Sequence, residues 1–299
     1  MIRYFTLVSF LVIFFGSCDP DTEGGDSGEP QARAEKQLNI SILIDLSDRI
    51  DSSRNDFNPP QYQRDTAIIR AIIDIFKNNL QSPDKATFTA HDKLKVFFHP
   101  FPTDPSVANI AQNLQLDLEP MDVKQKKRAF LEVDSLFSAN LSSMYNLSLQ
   151  NKKYEGADLW HFMKDEVKSK CVKDSTYRNI LIILTDGYMY WPFDKRNVGN
   201  KYNYIGPKSS HLTMFRGIND WEEQFDQKGY GFIAPRNDLS NLEVLVIGLD
   251  PPKSHPEDYD ILKKYWSNWF MEMGVKHYNI LPTDQPINTQ NELNIFFGS

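Results

Sequence analysis

The chain has 299 residues, of which 33 are lysine or arginine and 40 are aspartate or glutamate, so its formal net charge is −7. An acidic protein of this kind is not expected to bind nucleic acid, whose phosphates attract basic surfaces. Because 40% of the residues are hydrophobic and only two are cysteines, we expect an ordinary hydrophobic core and no disulfide scaffold.

The first residues have the pattern of an export signal. Arg3 precedes an 11-residue run from Phe5 to Phe15 that is almost entirely apolar but too short to span a bilayer as a helix. Two small residues then precede Cys18, and this order resembles the lipobox of bacterial lipoproteins, in which the cysteine becomes the lipidated first residue. We therefore predict a signal peptide over residues 1–17 and lipidation at Cys18. An ordinary cleaved signal peptide with an incidental cysteine is the alternative.

The next segment is predicted to be a tether. Residues 18–36 are rich in glycine and acids and contain no aromatic residue, valine, leucine or isoleucine. Such a segment buries too little apolar surface to offset its ordering entropy, so we predict that it is disordered. The protein would then be held at a membrane of the bacterial cell envelope, on the periplasmic face or at the cell surface. Lipidation of Cys18 would leave Cys171 alone, so no intrachain disulfide is expected.

From residue 37 onward, apolar runs of strand length alternate with stretches of helical periodicity. Strands are predicted at residues 40–44, 94–98, 180–184, 242–247 and 275–281, with an alternating run at 114–118 that is typical of an antiparallel edge strand. Helices are predicted at residues 59–80, 122–147, 159–167, 256–273 and 288–296. This alternation predicts an α/β fold: a doubly wound, mostly parallel central sheet with helices on both faces. We predict a single domain over residues 37–299.

Two acidic residues directly follow predicted strands. Asp45 comes after the first predicted strand, at 40–44. Asp186 comes after the strand predicted at 180–184, which is the fourth along the chain. If the first and fourth strands are neighbours, the two carboxylates emerge at the same edge of the sheet, where doubly wound sheets bind ligands. Two adjacent carboxylates repel each other unless a positive group lies between them. A hard divalent cation prefers oxygen ligands, and the Ser47 hydroxyl could complete such a set.

The sequences Ile-Leu-Ile-Asp45-Leu-Ser47 and Ile-Leu-Thr-Asp186-Gly resemble the von Willebrand factor A (VWA) domain. That family has a metal-ion-dependent adhesion site built from Asp-x-Ser-x-Ser after the first strand, a threonine from a middle loop and an aspartate after the fourth strand. The resemblance covers about residues 38–281. It implies a Rossmann-like VWA fold, a Mg²⁺, Mn²⁺ or Ca²⁺ ion held by Asp45, Ser47 and Asp186, and a protein ligand that presents a carboxylate to the ion.

Two positions depart from the family pattern. Arg49 replaces the second serine, and Ala157 stands in the middle loop where the family often has threonine. Asp158 is an additional candidate ligand, through a water molecule. Three hypotheses therefore stay open. In the first, the cation is still bound. In the second, the Arg49 guanidinium pairs with the two carboxylates and replaces the cation. In the third, the aspartates only cap helices and turns.

An aromatic-rich insertion follows Asp186 over residues 188–232. Because it begins at the predicted ligand-binding edge, Tyr188, Tyr190 and Trp191 are candidate anchors for a partner. The alternative is that the rings of the insertion form its own small core. Aromatic rings also stack on sugars, so a glycan remains an alternative partner.

The leading functional hypothesis is a lipid-anchored, non-enzymatic protein-binding module for adhesion or envelope assembly. One alternative is a metal-dependent hydrolase or phosphatase that uses Asp45 and Asp186, and another is a structural envelope subunit with a degenerate metal site. The six histidines show no zinc-ligand spacing, and the sequence contains neither a phosphate-binding glycine-rich loop nor a nucleophile elbow.

Overall fold

A six-stranded sheet organises the fold in the computed structural model, which describes residues 36–51, 53, 57–82, 89–151 and 157–298. The predicted signal peptide, Cys18, the predicted tether up to residue 35 and Gly156 lie outside the described residues. The strands in the described part of the chain are β1 (Gln37–Ile44), β2 (Lys93–Phe97), β3 (Gln115–Asp117), β4 (Tyr177–Leu184), β5 (Asn197–Val198), β6 (Lys201–Tyr202), β7 (Gly231–Phe232), β8 (Leu242–Leu249) and β9 (His277–Pro282).

The strand order in the central sheet is β3-β2-β1-β4-β8-β9. All neighbouring pairs are parallel except β2 and β3, which are antiparallel. This confirms the predicted α/β class, the mostly parallel sheet and the single antiparallel edge strand. Strand β1 pairs with β4 along its whole length, from Gln37 opposite Tyr177 to Ile44 opposite Leu184.

Helices cover the sheet and the insertion. Their bounds are α1 (Gln61–Leu80), α2 (Pro105–Asn113), α3 (Val123–Asn151), α4 (Leu159–His161), α5 (Val167–Cys171), α6 (Ser210–Thr213), α7 (Trp221–Gln227), α8 (Asp258–Glu272) and α9 (Pro286–Gly298). A π-helical turn at Phe162–Glu166 joins α4 to α5, and a 3₁₀ turn at Asp48–Ile50 follows β1. In the described residues no helix is both long and apolar enough to cross a bilayer.

The central strands are buried on both faces, which explains why their sequences are almost continuously apolar. On β1, Ile42 and Ile44 belong to a hydrophobic cluster shared with α1, α3 and α9. Leu43 points the other way, into a second cluster that includes α5 and α8. The sheet therefore separates two hydrophobic layers. Residues 36–298 belong to one compact unit.

Helix α2 was not predicted, although its start has a recognisable signal. Asp104 precedes Pro105, and its Oδ1 accepts hydrogen bonds from the backbone nitrogens of Ser106 (2.8 Å) and Val107 (3.2 Å). Aspartate at the cap followed by proline at the first helical position is a strong helix start. The helix has only one buried residue, Ala111, so it lacks the wide apolar stripe by which helices such as α1 and α8 were predicted.

The insertion contains a small three-stranded sheet and packs on α8. Strands β5 and β6 form an antiparallel hairpin whose turn contains Gly199 at a φ of 59°. At its base, Met189 and Ile205 exchange backbone hydrogen bonds of 3.0 and 2.6 Å. Most of the insertion's rings are buried or partly buried against α8, with Phe232 5.1 Å from the ring of Tyr265. These rings therefore extend the main core, rather than forming a separate one.

Candidate functional site

Asp45 and Asp186 follow adjacent strands at the carboxyl edge of the sheet. Strand β1 connects to β2 on one side, whereas the chain returns at β4 on the other side of β1. The strand order thus reverses between β1 and β4, and crevices at such a switch point are the usual ligand sites of doubly wound sheets. The predicted neighbourhood of the first and fourth strands is present.

Asp45 is held in one orientation by its neighbours. Its backbone nitrogen continues the sheet by donating to the Leu184 carbonyl at 2.9 Å. Its Oδ1 accepts from the Ser47 backbone nitrogen at 2.8 Å, and its Oδ2 accepts from the Thr185 hydroxyl at 2.9 Å. The residue is only 2% exposed. Each carboxylate oxygen retains a second lone pair, so the fixed carboxylate can still serve as a ligand.

Asp186 lies beside Asp45 but is partly exposed. Its Oδ1 accepts a hydrogen bond from the Tyr188 backbone nitrogen at 3.0 Å. Burial, followed by the negative charge of Asp45, raises the pKa of the Asp186 carboxyl to about 7. Asp250, whose own pKa is raised by burial, contributes in the same direction. Burial and the neighbouring carboxylates therefore favour the protonated form of Asp186.

The backbone after Asp186 leaves no room for a side chain. Gly187 has a φ of 94°, and a Cβ built on it would lie 2.7 Å from Leu249 Cγ. Its carbonyl accepts a hydrogen bond of 2.9 Å from Trp266 Nε1 on α8. The Asp-Gly pair is thus explained by packing: glycine permits both the positive φ and the close approach of β8.

The side chain of Arg49 is buried and binds Asp65. Its Nη1 and Nη2 donate to the two carboxylate oxygens of Asp65 at 3.3 and 2.7 Å, and its Nε donates to the Asp45 carbonyl oxygen at 2.8 Å. Burial opposes the charged form, but the charge of Asp65 prevails and raises the pKa of Arg49. The hypothesis placed this guanidinium on the carboxylates of Asp45 and Asp186; its described hydrogen bonds go to Asp65 and to the Asp45 backbone. Its charge still acts to lower the pKa of Asp186.

Asp65 accepts hydrogen bonds from three different side chains. Besides Arg49, Gln61 Nε2 donates to its Oδ1 at 2.9 Å, and the Tyr145 hydroxyl donates to its Oδ2 at 2.9 Å. Burial, followed by the charge of Asp65, raises the pKa of Tyr145 well above its usual value, which keeps the hydroxyl protonated as a donor. We call Arg49, Asp65, Gln61 and Tyr145 the Arg49 cluster.

Asp158 caps helix α4 and bonds to His161. Its Oδ1 accepts from the His161 backbone nitrogen at 3.1 Å, and its Oδ2 lies 2.7 Å from His161 Nδ1. The other ring nitrogen of His161 lies 3.2 Å from Asp194 Oδ2 in the insertion. Ala157 forms a β-bridge with Tyr190. The described contacts of the Asp158 carboxylate thus serve the local structure and do not join it to Asp45 or Asp186.

The three predicted anchor residues differ in exposure. Tyr188 is partly buried, and among the described residues its buried hydroxyl has no hydrogen-bond partner. Tyr190 is 52% exposed and lies under Lys195 Nζ at 4.7 Å. Trp191 is partly exposed and contacts the edge of Phe193, which is 84% exposed. Tyr190, Trp191 and Phe193 therefore provide an aromatic surface a few residues from Asp186.

The side chains at this edge suit a hydrated, hard cation. Within the described ranges, no three Asp, Glu, His or Cys side chains lie close enough together to hold a metal ion by themselves. The oxygen donors at this edge are the carboxylates of Asp45 and Asp186, and Ser47, whose backbone nitrogen donates to Asp45, adds a hydroxyl two residues further along the chain. Mg²⁺ is often bound by one or two carboxylates while it keeps several waters, so this donor set fits Mg²⁺ better than zinc.

Sequence reasoning did not identify three residues that shape this site: Thr185, Asp65 and Tyr145. A signal for Asp65 was present. The apolar stripe of α1 includes Ile69 and Ile72, and stepping back four residues from Ile69 reaches Asp65. A charged residue at a core-facing position needs a buried partner, which Arg49 provides.

Comparison with known proteins gives distant similarities only. No protein-family model and no curated protein matches the chain. Similar solved structures include the proximal thread matrix protein 1 from the mussel byssus, with 11% identity, a TM-score of 0.37, and coverage of 88% of this chain and 48% of that one. They also include the conserved hypothetical protein BatB from Bacteroides thetaiotaomicron, with 10% identity, a TM-score of 0.36, and coverage of 88% and 100%. The chain spans about half the length of the mussel protein.

Proposed function

We propose that this protein is a lipid-anchored, non-enzymatic binding module of the bacterial envelope, and that its VWA-like domain recognises a protein ligand through a divalent cation. The observation that supports this best is the convergence of Asp45 and Asp186 at the switch point between β1 and β4. The two carboxylates lie close enough for Asp45 to raise the pKa of Asp186.

In this proposal Asp45, Ser47 and Asp186 hold a Mg²⁺ or similar ion together with water molecules. The bound ion supplies the positive charge that a ligand's carboxylate requires at an otherwise acidic edge. Asp45 is already oriented by Ser47 and Thr185, so little ordering is needed when the ion binds. The exposed rings of Tyr190 and Phe193 then offer apolar contact beside the charged centre.

Cation binding by the full chain provides the direct test. In calorimetric titrations with Mn²⁺ or Mg²⁺, we expect the wild-type protein to bind one ion and Asp186→Asn to bind it at least tenfold more weakly, because one of two carboxylate ligands is lost. Asp174→Asn is the matched control. Asp174 caps a turn before β4, at the opposite edge of the sheet, so its replacement should leave the affinity unchanged.

Absence of heat from the wild-type protein would contradict the cation site. The hydrolase alternative has one observation in its favour, since a carboxyl with a pKa of about 7 beside a second carboxylate is also a feature of acid–base catalysts. If the wild-type protein hydrolysed members of a phosphoester panel and Asp45→Asn did not, the hydrolase would be the better assignment. If a partner captured from solubilised membranes stayed bound in chelator, the structural-subunit alternative would be favoured.

Anchoring at Cys18 is tested separately, because Cys18 lies outside the described residues. We expect the wild-type protein in bacterial cells to fractionate with membranes and Cys18→Ala to be released, because one lipid-modified residue would be the attachment point. Cys171→Ala is the control, since Cys171 is fully buried in the core and is expected to have no role in attachment. Membrane retention of Cys18→Ala would contradict lipidation as the anchor.

A further inference from the structure

The Arg49 cluster connects the loop after β1 to two helices. Arg49 stands where the resemblance to the VWA family calls for a hydroxyl ligand, yet its side chain turns inward and is only 5% exposed. Its three described hydrogen bonds go to the Asp45 carbonyl and to both carboxylate oxygens of Asp65. Asp65 belongs to α1, and Tyr145, which donates to it, belongs to α3.

We propose that the Arg49 cluster holds Asp45 in the orientation needed for cation binding. Arg49 occupies the position of the second serine in the VWA pattern, and in this proposal it supports a ligand instead of serving as one. This inference rests on the proposed function. Arg49, Asp65, Gln61 and Tyr145 are positioning residues, because none of them is proposed to touch the ion.

The first step of the argument concerns the backbone of Asp45. The strand pairing fixes its nitrogen on Leu184, and Arg49 Nε fixes its carbonyl oxygen. Both sides of the residue are thereby anchored, which leaves the carboxylate to be oriented by Ser47 and Thr185. Loss of the Arg49 bond would free the peptide after Asp45 and with it the Ser47 nitrogen that orients the carboxylate.

The second step concerns the guanidinium itself. An arginine can reach one carbonyl and one carboxylate together only because its donors lie in a fixed planar fork. Asp65 receives two of these donors, and its oxygens each accept one further bond, from Gln61 and from Tyr145. The position of Arg49 is therefore set by groups from α1 and α3, and thermal motion of the loop alone cannot change it without breaking several buried hydrogen bonds.

The third step concerns charge. An arginine without an acidic partner would be free to pair with Asp45 or Asp186 and would compete with a cation. Asp65 prevents this because its two carboxylate oxygens accept hydrogen bonds from both terminal nitrogens of the guanidinium. The cluster thus does two things: it holds Asp45 in place, and it engages the terminal nitrogens of Arg49 with Asp65.

The experiment uses Mn²⁺ as the probe and the full chain with conservative variants. Tyr145→Phe removes only the hydroxyl that bonds Asp65, and Arg49→Lys keeps the charge but cannot form the fork. Both are expected to bind Mn²⁺ about tenfold more weakly than the wild type, since partners outside the ligand shell typically change metal affinity 10- to 100-fold. Asp65→Asn is expected to weaken binding further, because Arg49 can then move to Asp45 or Asp186.

Matched controls separate positioning from general destabilisation. Tyr265→Phe removes another buried hydroxyl, which donates to the His211 carbonyl at 2.8 Å. Arg178→Lys disrupts another two-bond pair, with Glu243, at the opposite end of β4. Both controls should keep the wild-type Mn²⁺ affinity even where they lower thermal stability.

A second readout needs no cation. In chelator, the backbone amide of Ser47 is expected to exchange its hydrogen faster in Tyr145→Phe and Arg49→Lys than in the wild type or the controls, because the bond to Asp45 Oδ1 becomes labile. If the wild type binds Mn²⁺ and the cluster variants bind it equally well, the inference is overturned while the proposed function stands. If the wild type binds no Mn²⁺, the proposed function fails, and unchanged Ser47 exchange in the variants then overturns the positioning role as well.

Discussion

Asp65→Ala is expected to lower the free energy of unfolding by about 3–5 kcal/mol, because it leaves the Arg49 guanidinium buried without its acidic partner. Asp65 is 1% exposed and Arg49 5% exposed, so water can do little to replace the lost contacts. Gln61 and Tyr145 would lose an acceptor at the same time. Urea denaturation of the wild-type and variant proteins, followed by circular dichroism, measures this difference.

An exposed ion pair provides the control for this prediction. Asp226 Oδ2 lies 2.7 Å from Lys264 Nζ, but the Asp226 side chain is 54% exposed. Asp226→Ala should therefore cost less than about 1 kcal/mol, as exposed pairs usually do. If both variants lowered the free energy of unfolding by a similar amount, burial would not be the reason that breaking the Arg49–Asp65 pair is costly.

In chelator, the free energy of unfolding is expected to fall as the pH rises from about 4 to about 7. The folded state raises the pKa of Asp186 from 3.8 to about 7, so it binds a proton more tightly than the unfolded chain does. This contribution is fully present below the unfolded pKa and is lost as the pH passes through the folded pKa. A pKa difference of about 3 corresponds to about 4 kcal/mol, and the partial exposure of Asp186 reduces this to about 2 kcal/mol.

Asp186→Asn tests the pH prediction, because asparagine cannot titrate. Urea denaturation at pH 4 and pH 8 should show that the variant loses about 2 kcal/mol less than the wild type over this range. A saturating divalent cation should also remove the fall in the wild type, since it favours the charged carboxylate. A fall of the same size in Asp186→Asn and in the wild type would show that other groups cause it.

The sheet was predictable from sequence because its strands are buried on both faces. The run Ile180–Leu184 is apolar without interruption, and Leu242–Ile247 is interrupted only by Glu243; the structure extends them to Tyr177–Leu184 and Leu242–Leu249. Helix starts were less well predicted at prolines. The helix expected from Pro256 begins at Asp258, and the one expected from Pro59 begins at Gln61 after two prolines.

The position of Asp45 and Asp186 was predictable because it follows from topology. Two aspartates that end parallel neighbouring strands must share an edge. The direction of Arg49 was not predictable, since it depends on Asp65 lying within reach on α1 and on Tyr145 closing the pair from α3. These contacts join residues 16 and 80 positions apart in the chain, and no local pattern encodes them.

The hairpin between β5 and β6 has a practical consequence. In its turn Val198 is 68% exposed, whereas Gly199 has a φ of 59° that a side chain would strain. The exposed side chain of Val198 is therefore the place in this turn for a spectroscopic label. A fluorophore at this position would stand on the same insertion as Tyr190 and Trp191, and its emission could report the arrival of a binding partner in real time.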